Sequence, residues 1–146
     1  MKRRPENYVT LEFLSRSSNE GFARLAAAAF AAQLDPTLDE LGDIKTAVSE
    51  AVTNCIVHAY PGGDGTITLT CRVYPDRNIE LTVEDHGVGI PDVTAARAPL
   101  FTTGGQDRSG MGFTIMEKFM TSLQVESAPG RGTTVTMTRR LQERRR

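Results

Sequence analysis

In the stretch "SEAVTNCIVHAY", Glu50, Asn54 and His58 stand four residues apart. On a helix this spacing sets a carboxylate, an amide and an imidazole about one turn from each other on one side. The apolar positions Leu38, Leu41, Ile44, Val48, Ala51, Val52 and Cys55 define a different stripe, and Glu50 and Asn54 lie roughly 130° from its middle. The pair is therefore not core, and by itself it reads first as a solvated polar face.

Other positions strengthen a chemical reading. In "IELTVEDHGVGI", Asp85 has the strand parity of Ile79, Leu81 and Val83, so a carboxylate continues a core-facing row at the strand end. A buried carboxylate requires a donor. The amino group of a planar ligand would serve, and Gly87 and Gly89 would let such a ligand approach the backbone. Gly110 and Gly112 in "SGMGFTIM" precede a helical pattern, where free N–H groups and the positive dipole end suit phosphate. Thr133 shares parity with Val135 and Met137, which turns its hydroxyl toward the layer of Asp85. Each feature has a plainer account, as a turn, a capping glycine or a β-branched strand residue; it is their company that carries weight.

The elements that must position these groups can be read from periodicity. "YVTLEFL" alternates as a strand with Val9, Leu11 and Phe13 on one face. "EGFARLAAAAFAAQL" reads as a helix with Phe22, Leu25, Ala29 and Gln33 stacked, which leaves Arg24 opposite that stripe and exposed. A second helix starts near Pro36 and runs to Tyr60, where "PGGDG" ends it. "TITLTCRVY" and "NIELTVED" form a hairpin around "PDR". "PDVTAARAPLFTTGGQDRS" has no sustained period and reads as a long functional loop. A glycine-led helix follows, with Phe113, Met116, Phe119 and Met120 on its buried stripe, and then the strands "SLQVES" and "TTVTMTRRL" around "APGRG". This order predicts an α+β two-layer sandwich: a mixed, mostly antiparallel sheet covered on one face by helices.

A chain of 146 residues suits one domain, spanning 1–146. The formal net charge of -1 gives no electrostatic case for nucleic acid as the main partner. Neither a membrane-spanning run nor a signal-peptide pattern is present, so a cytoplasmic protein is expected. Cys55 and Cys71 lack metal-ligand spacing and read as buried thiols. With no GxxxxGK[ST], no strand-GxGxxG-helix unit and no HRD or DFG signature, P-loop, Rossmann and eukaryotic-type kinase sites are unsupported.

Taken in order, the ExxxN box (Glu50, Asn54), the DxGxG box (Asp85, Gly87, Gly89), a lid, the GxG box (Gly110, Gly112) and the late Gly132-Thr133 resemble the Bergerat ATP-binding fold. Gyrase, Hsp90, mismatch-repair ATPases and histidine kinases share that fold. Within it, "LDPTLDELGDIKTAVSEAVTNCIVHAY", "PLFTT" and "RSGMGFTIMEKFM" are similar to the anti-sigma F factors of spore-forming bacilli, which are stand-alone serine kinases; the likeness runs from about Phe13 to Thr138. The resemblance implies ATP or ADP with Mg²⁺ as cofactors. Asp85 would take the adenine amino group with Thr133 assisting through water, Asn54 would hold Mg²⁺, and Gly110, Met111 and Gly112 would wrap the phosphates, with Thr103 of "PLFTT" in the same nucleotide-binding set. Glu50 would accept the proton of an incoming serine and Arg108 would meet the γ-phosphate. His58 either flanks the phosphates or makes a polar contact near the helix end. The implied partners are a sigma factor of the sigma F type, contacted through Arg24, an anti-anti-sigma protein phosphorylated on serine, and a second copy of the chain. A nucleotide-switched binding module without turnover and a stress-response anti-sigma kinase are the competing readings. "TTGGQDRS" departs from the family pattern in placing Gly104 and Gly105 in the lid.

Overall fold

The computed structural model describes residues 3–98 and 112–143. Five strands form one sheet: β1 (Asn7–Leu14), β2 (Thr66–Val73), β3 (Asn78–Asp85), β4 (Ser122–Ala128) and β5 (Gly132–Arg140). Their spatial order is β1-β2-β3-β5-β4, and all four pairings are antiparallel. The parallel component implied by a mixed sheet is absent among the described residues. Helices α1 (Glu20–Ala31), α2 (Leu38–Asn54) and α4 (Gly112–Phe119) form the second layer, with α2 packed against both others. The long loop contains a short helix, α3 (Val93–Arg97), started by Asp92, whose carboxylate accepts the Ala95 amide at 3.0 Å.

Strand register explains how one face serves as both core and site. Leu11, Leu69, Val83, Val135 and Val125 lie abreast across the sheet. Two residues along, the matching rung reads Phe13, Ile67, Asp85, Thr133 and Ser127. Side chains two apart share a face, so the hydrocarbon layer turns polar at one end of the central strands. Ile67, Leu69, Leu81, Val83 and Met137 are fully covered, as are Ile44, Val48 and Val52 on the opposing face of α2.

Helix α1 is turned the other way from the expected stripe. Ala23, Ala27, Phe30 and Ala31 are buried, whereas Phe22 and Leu25 are each 58% exposed. An alanine-rich helix carries two stripes of equal period, and the small one wins because methyl groups admit close approach to α2. Arg24 consequently borders the buried face and is 40% exposed, its Nε 3.3 Å from Glu20 Oε2.

The start of α2 also differs from the expectation. Pro36 lies outside the helix, Thr37 is its N-cap, and Leu38, expected in the core stripe, is 87% exposed. The capping box fixes this: Thr37 Oγ1 accepts the Glu40 amide at 3.0 Å and Glu40 Oε1 accepts the Thr37 amide at 2.9 Å. Glu40 is 3% exposed and its other oxygen accepts the Gln142 amide at 2.8 Å, tying the helix start to the residues after β5. Burial pushes the Glu40 carboxyl up, but the Gln142 and Thr37 hydrogen bonds and the charge of Arg139 outweigh it and hold it below its ordinary value.

A carboxyl depressed in the folded state contributes stability above its unfolded pKa, and that stability is lost as pH falls through the folded value. Glu40→Ala should cost about 2 kcal/mol at neutral pH. In urea titrations from pH 7 down into the acid range, the gap between Glu40→Ala and the parent should narrow as the acid side is approached; a pH-independent gap would contradict the assignment.

Candidate functional site

Strand β3 delivers Asp85 to the floor of a cavity of about 470 Å³ between the end of α2, the residues following β3, α4 and β5. Asp85 is 4% exposed and its Oδ1 accepts the Gly87 amide at 2.9 Å. Burial pushes the Cys55 thiol well above its ordinary value, and the charge of Asp85, to which the thiol hydrogen-bonds, adds to the effect. Asp85 thus has donors within the fold, beside the ligand amino group expected for it from the sequence. A carboxylate offers about four lone-pair sites, so capacity remains toward the cavity.

Helix α2 supplies the opposite wall. It is α-helical to Asn54 and then widens into a π turn over Cys55–Ala59, where sequence periodicity predicts an unbroken α-helix. The wider turn presents the Ala59 carbonyl to the segment after β3, where it accepts the Val88 amide at 2.9 Å. A Cβ on Gly87 would stand 2.1 Å from the same carbonyl oxygen, so this glycine is required by the contact with α2. Gly89 has φ +81, and a Cβ there would lie 2.1 Å from the Ala128 oxygen. Both glycines therefore answer first to the fold's own backbone, and the expected role in admitting a ligand is secondary.

Thr133 is opposite Asp85 in register, its hydroxyl 2.8 Å from that of Ser127, and both Thr133 and Asp85 line the cavity. Ser127 in turn accepts the Ile90 amide at 2.7 Å, which holds Ile90 over the cavity. With Ala51, Phe113 and Val135 this makes an apolar slot ending at a carboxylate. That volume lies in the range of roughly 300–1,000 Å³ typical of small-molecule sites, and the slot's chemistry fits an amino-bearing planar ring.

Gly112 opens α4 directly against α2. A Cβ on it would be 3.2 Å from both amide atoms of Asn54 and 3.5 Å from Glu50 Oε1. The last glycine of one box and the two polar residues of another, far apart in sequence, therefore meet at one point. Asn54 lines the cavity. His58 does too; it is exposed and makes no hydrogen bond or ion pair among the described residues, so the polar contact weighed for it is not formed there. Thr103, Arg108, Gly110 and Met111 lie outside the described residues. Among the described residues no group of three or more His, Cys, Asp or Glu side chains is placed to hold a metal ion. The single amide oxygen of Asn54 suits Mg²⁺ that arrives with phosphate oxygens and keeps its waters. Ile90 and Asp92 line the cavity without having been singled out in the sequence, and Cys55, read there only as a buried thiol, lines it too. Cys55 continues the stripe of Ala51, one turn back, and both line the cavity.

Fold and cavity define a nucleotide-binding domain of the ATPase class, and residues 15–139 match the histidine kinase-like ATPase domain family. Similar structures are the RsbU and RsbW domains of a Mycobacterium tuberculosis protein, with TM-score 0.68 and 20% identity over 95% of this chain and 33% of that one, and the histidine kinase domain of Erythrobacter litoralis EL346, with TM-score 0.56 and 22% identity over 84% and 61%. The anti-sigma F factor of Caldanaerobacter subterraneus is 58% identical over 91% of this chain and 93% of its own length. That of Geobacillus kaustophilus is 56% identical over 88% and 89%, and that of Bacillus licheniformis 51% over 93% and 94%. The chain belongs to the anti-sigma F factor family of histidine kinase-like ATPases.

The contact between Gly112 and Asn54 gives a direct test. Gly112→Ala should push the amide aside and weaken Mg-ATP binding about tenfold, an effect of one lost polar contact. Alanine favours a helix, so thermal stability should not fall. Calorimetric titration showing parental affinity would remove Asn54 from the nucleotide site.

Proposed function

We propose that this chain, as a single domain over residues 1–146, is an ATP-dependent protein serine kinase that binds and inhibits a sporulation sigma factor of the sigma F type and phosphorylates that factor's anti-anti-sigma antagonist. The supporting observation is the meeting of Glu50 and Asn54 on α2 with Gly112 of α4, at the mouth of a cavity floored by Asp85. ATP supplies the phosphoryl group, and Mg²⁺ neutralises its charge. In this reading Asp85 accepts from the adenine amino group, with Thr133 beside it through water. Asn54 contributes its amide oxygen to the cation, and the backbone of Gly110, Met111 and Gly112 wraps the phosphates. Arg108 stabilises charge on the γ-phosphate, and Thr103 belongs to the same binding segment.

Glu50 accepts the hydroxyl proton as the serine oxygen bonds to the γ-phosphorus and the bond from that phosphorus to the β,γ-bridging oxygen breaks, releasing ADP; it stands one helical turn from the amide that would hold the cation. A switch that bound nucleotide without turnover would need no carboxylate there, so Glu50 favours turnover.

Arg24, half exposed and paired with Glu20, is the proposed contact to the sigma factor and its antagonist. β1 is an edge strand with Tyr8 63% and Val9 37% exposed, which supports pairing with a second copy as a homodimer. No helix among the described residues is long and apolar enough to cross a membrane, and we place the protein in the cytoplasm.

Glu50→Gln should lower phosphorylation of the antagonist at least about a hundredfold while ATP affinity stays near parental. Labelled ATP and the purified antagonist measure the first, and equilibrium binding the second. Transfer at near the normal rate would exclude Glu50 as the base.

A further inference from the structure

Tyr60, the residue directly after the π turn, reaches the base-recognition end of β3 from outside the cavity. Its hydroxyl donates to the Thr66 carbonyl at 2.7 Å and accepts the His86 amide at 2.7 Å. Thr66 is the first residue of β2 and His86 the first beyond β3, and these strands pair beside that point at Ile67 and Asp85. One phenol therefore joins the end of the helix carrying Asn54 to the residue that follows Asp85. Gly65 makes room for the ring: a Cβ there would lie 2.3 Å from Tyr60 Cε1 and Cζ. Gly65 is itself held on its far side, its amide donating to Ser15 Oγ at 3.0 Å and its carbonyl accepting the Ser15 amide at 2.8 Å. Burial pushes the phenol above its ordinary value, and the charge of Asp85 acts in the same direction against the lowering effect of the His86 amide, so the hydroxyl keeps the proton it donates.

Tyr60 does not line the cavity. Its effect on a ligand must pass through the backbone at residues 85–87, where the Gly87 amide holds the Asp85 carboxylate and Ala59 holds the Val88 amide. A small displacement of His86 would rotate that carboxylate against the ring it faces, and hydrogen bonds weaken steeply with misalignment.

We propose that Tyr60 is a positioning residue for purine recognition, setting the orientation in which Asp85 meets an exocyclic amine; this rests on the reading of Asp85 given above. The consequence is selective. A loss of positioning should weaken nucleotides that carry the amine and spare those that lack it, whereas a general loosening of the fold would weaken both.

The test compares Mg²⁺ complexes of ATP and of purine riboside triphosphate, which lacks the 6-amino group, by calorimetric titration of the full chain. Tyr60→Phe keeps the ring over Gly65 and removes only the hydroxyl. It should lower ATP affinity about fivefold, the size of one weakened hydrogen bond, and change analogue affinity by less than about twofold. Gly65→Ala, which displaces the ring while leaving the hydroxyl chemically intact, should give the same pattern. Equal losses for both nucleotides, or none, would overturn the proposal. Asp85→Asn separates the two layers of inference. If it abolishes the preference for ATP while Tyr60→Phe leaves that preference unchanged, only the role of Tyr60 falls; if Asp85→Asn leaves the preference intact, the reading of Asp85 and the proposal built on it fall together.

Discussion

A carboxylate that is 4% exposed at the end of a central strand is the constraint from which the rest of the site follows. Leaving such a group without donors would cost several kcal/mol, on the order of the stability of a whole domain. The fold meets the cost locally, through the Gly87 amide and the Cys55 thiol. Those donors exist only if the chain after β3 turns back at once and the end of α2 lies directly above it. Gly87 permits the first by lacking a Cβ that would strike Ala59, and the π turn after Asn54 serves the second by setting the Ala59 carbonyl against the Val88 amide.

The same arrangement links recognition to chemistry. α2 is packed against α1 and α4 and carries Glu50 and Asn54 in consecutive turns, with Cys55 directly after Asn54. A rigid helix therefore sets the distance between the group proposed to take a proton, the group proposed to hold a cation and the thiol against Asp85. The capping box at Thr37 and Glu40, with its tie to Gln142, fixes the other end of this helix to the residues after β5. Arg139 reinforces it from β5, bonding both Asp43 Oδ2 at 2.6 Å and the Phe119 carbonyl at 2.7 Å. Positioning by several independent ties suits a reaction whose catalysis is mainly alignment and charge.

The outward face of α1 shows where pattern reading fails. Phe22, Leu25 and Ala29 have faultless helical spacing, yet the buried stripe is Ala23, Ala27, Phe30 and Ala31. Size is the misleading cue: large apolar side chains read as core, although close packing of two helices favours methyl groups. Leu38 failed for a related reason, since a residue directly after an N-cap sits at a helix corner where the stripe has not yet met its partner. Alternation in the strands succeeded because period two leaves no second choice of face once one is buried.

The sequence by itself determined the α+β order, the strand faces, the burial of Asp85 with Thr133 in its layer, and the separation of Glu50 and Asn54 from the core stripe. All of these depend on local periodicity, which is set by backbone geometry within a few residues. Only the tertiary structure decided that Gly112 closes on Asn54, that Gly87 and Gly89 serve neighbouring backbone before any ligand, that the helix widens after Asn54, and that Tyr60 bridges Thr66 and His86. Each of these is a contact between segments distant in the chain, and its sign depends on gaps of a few tenths of an ångström that no pattern of residue types encodes.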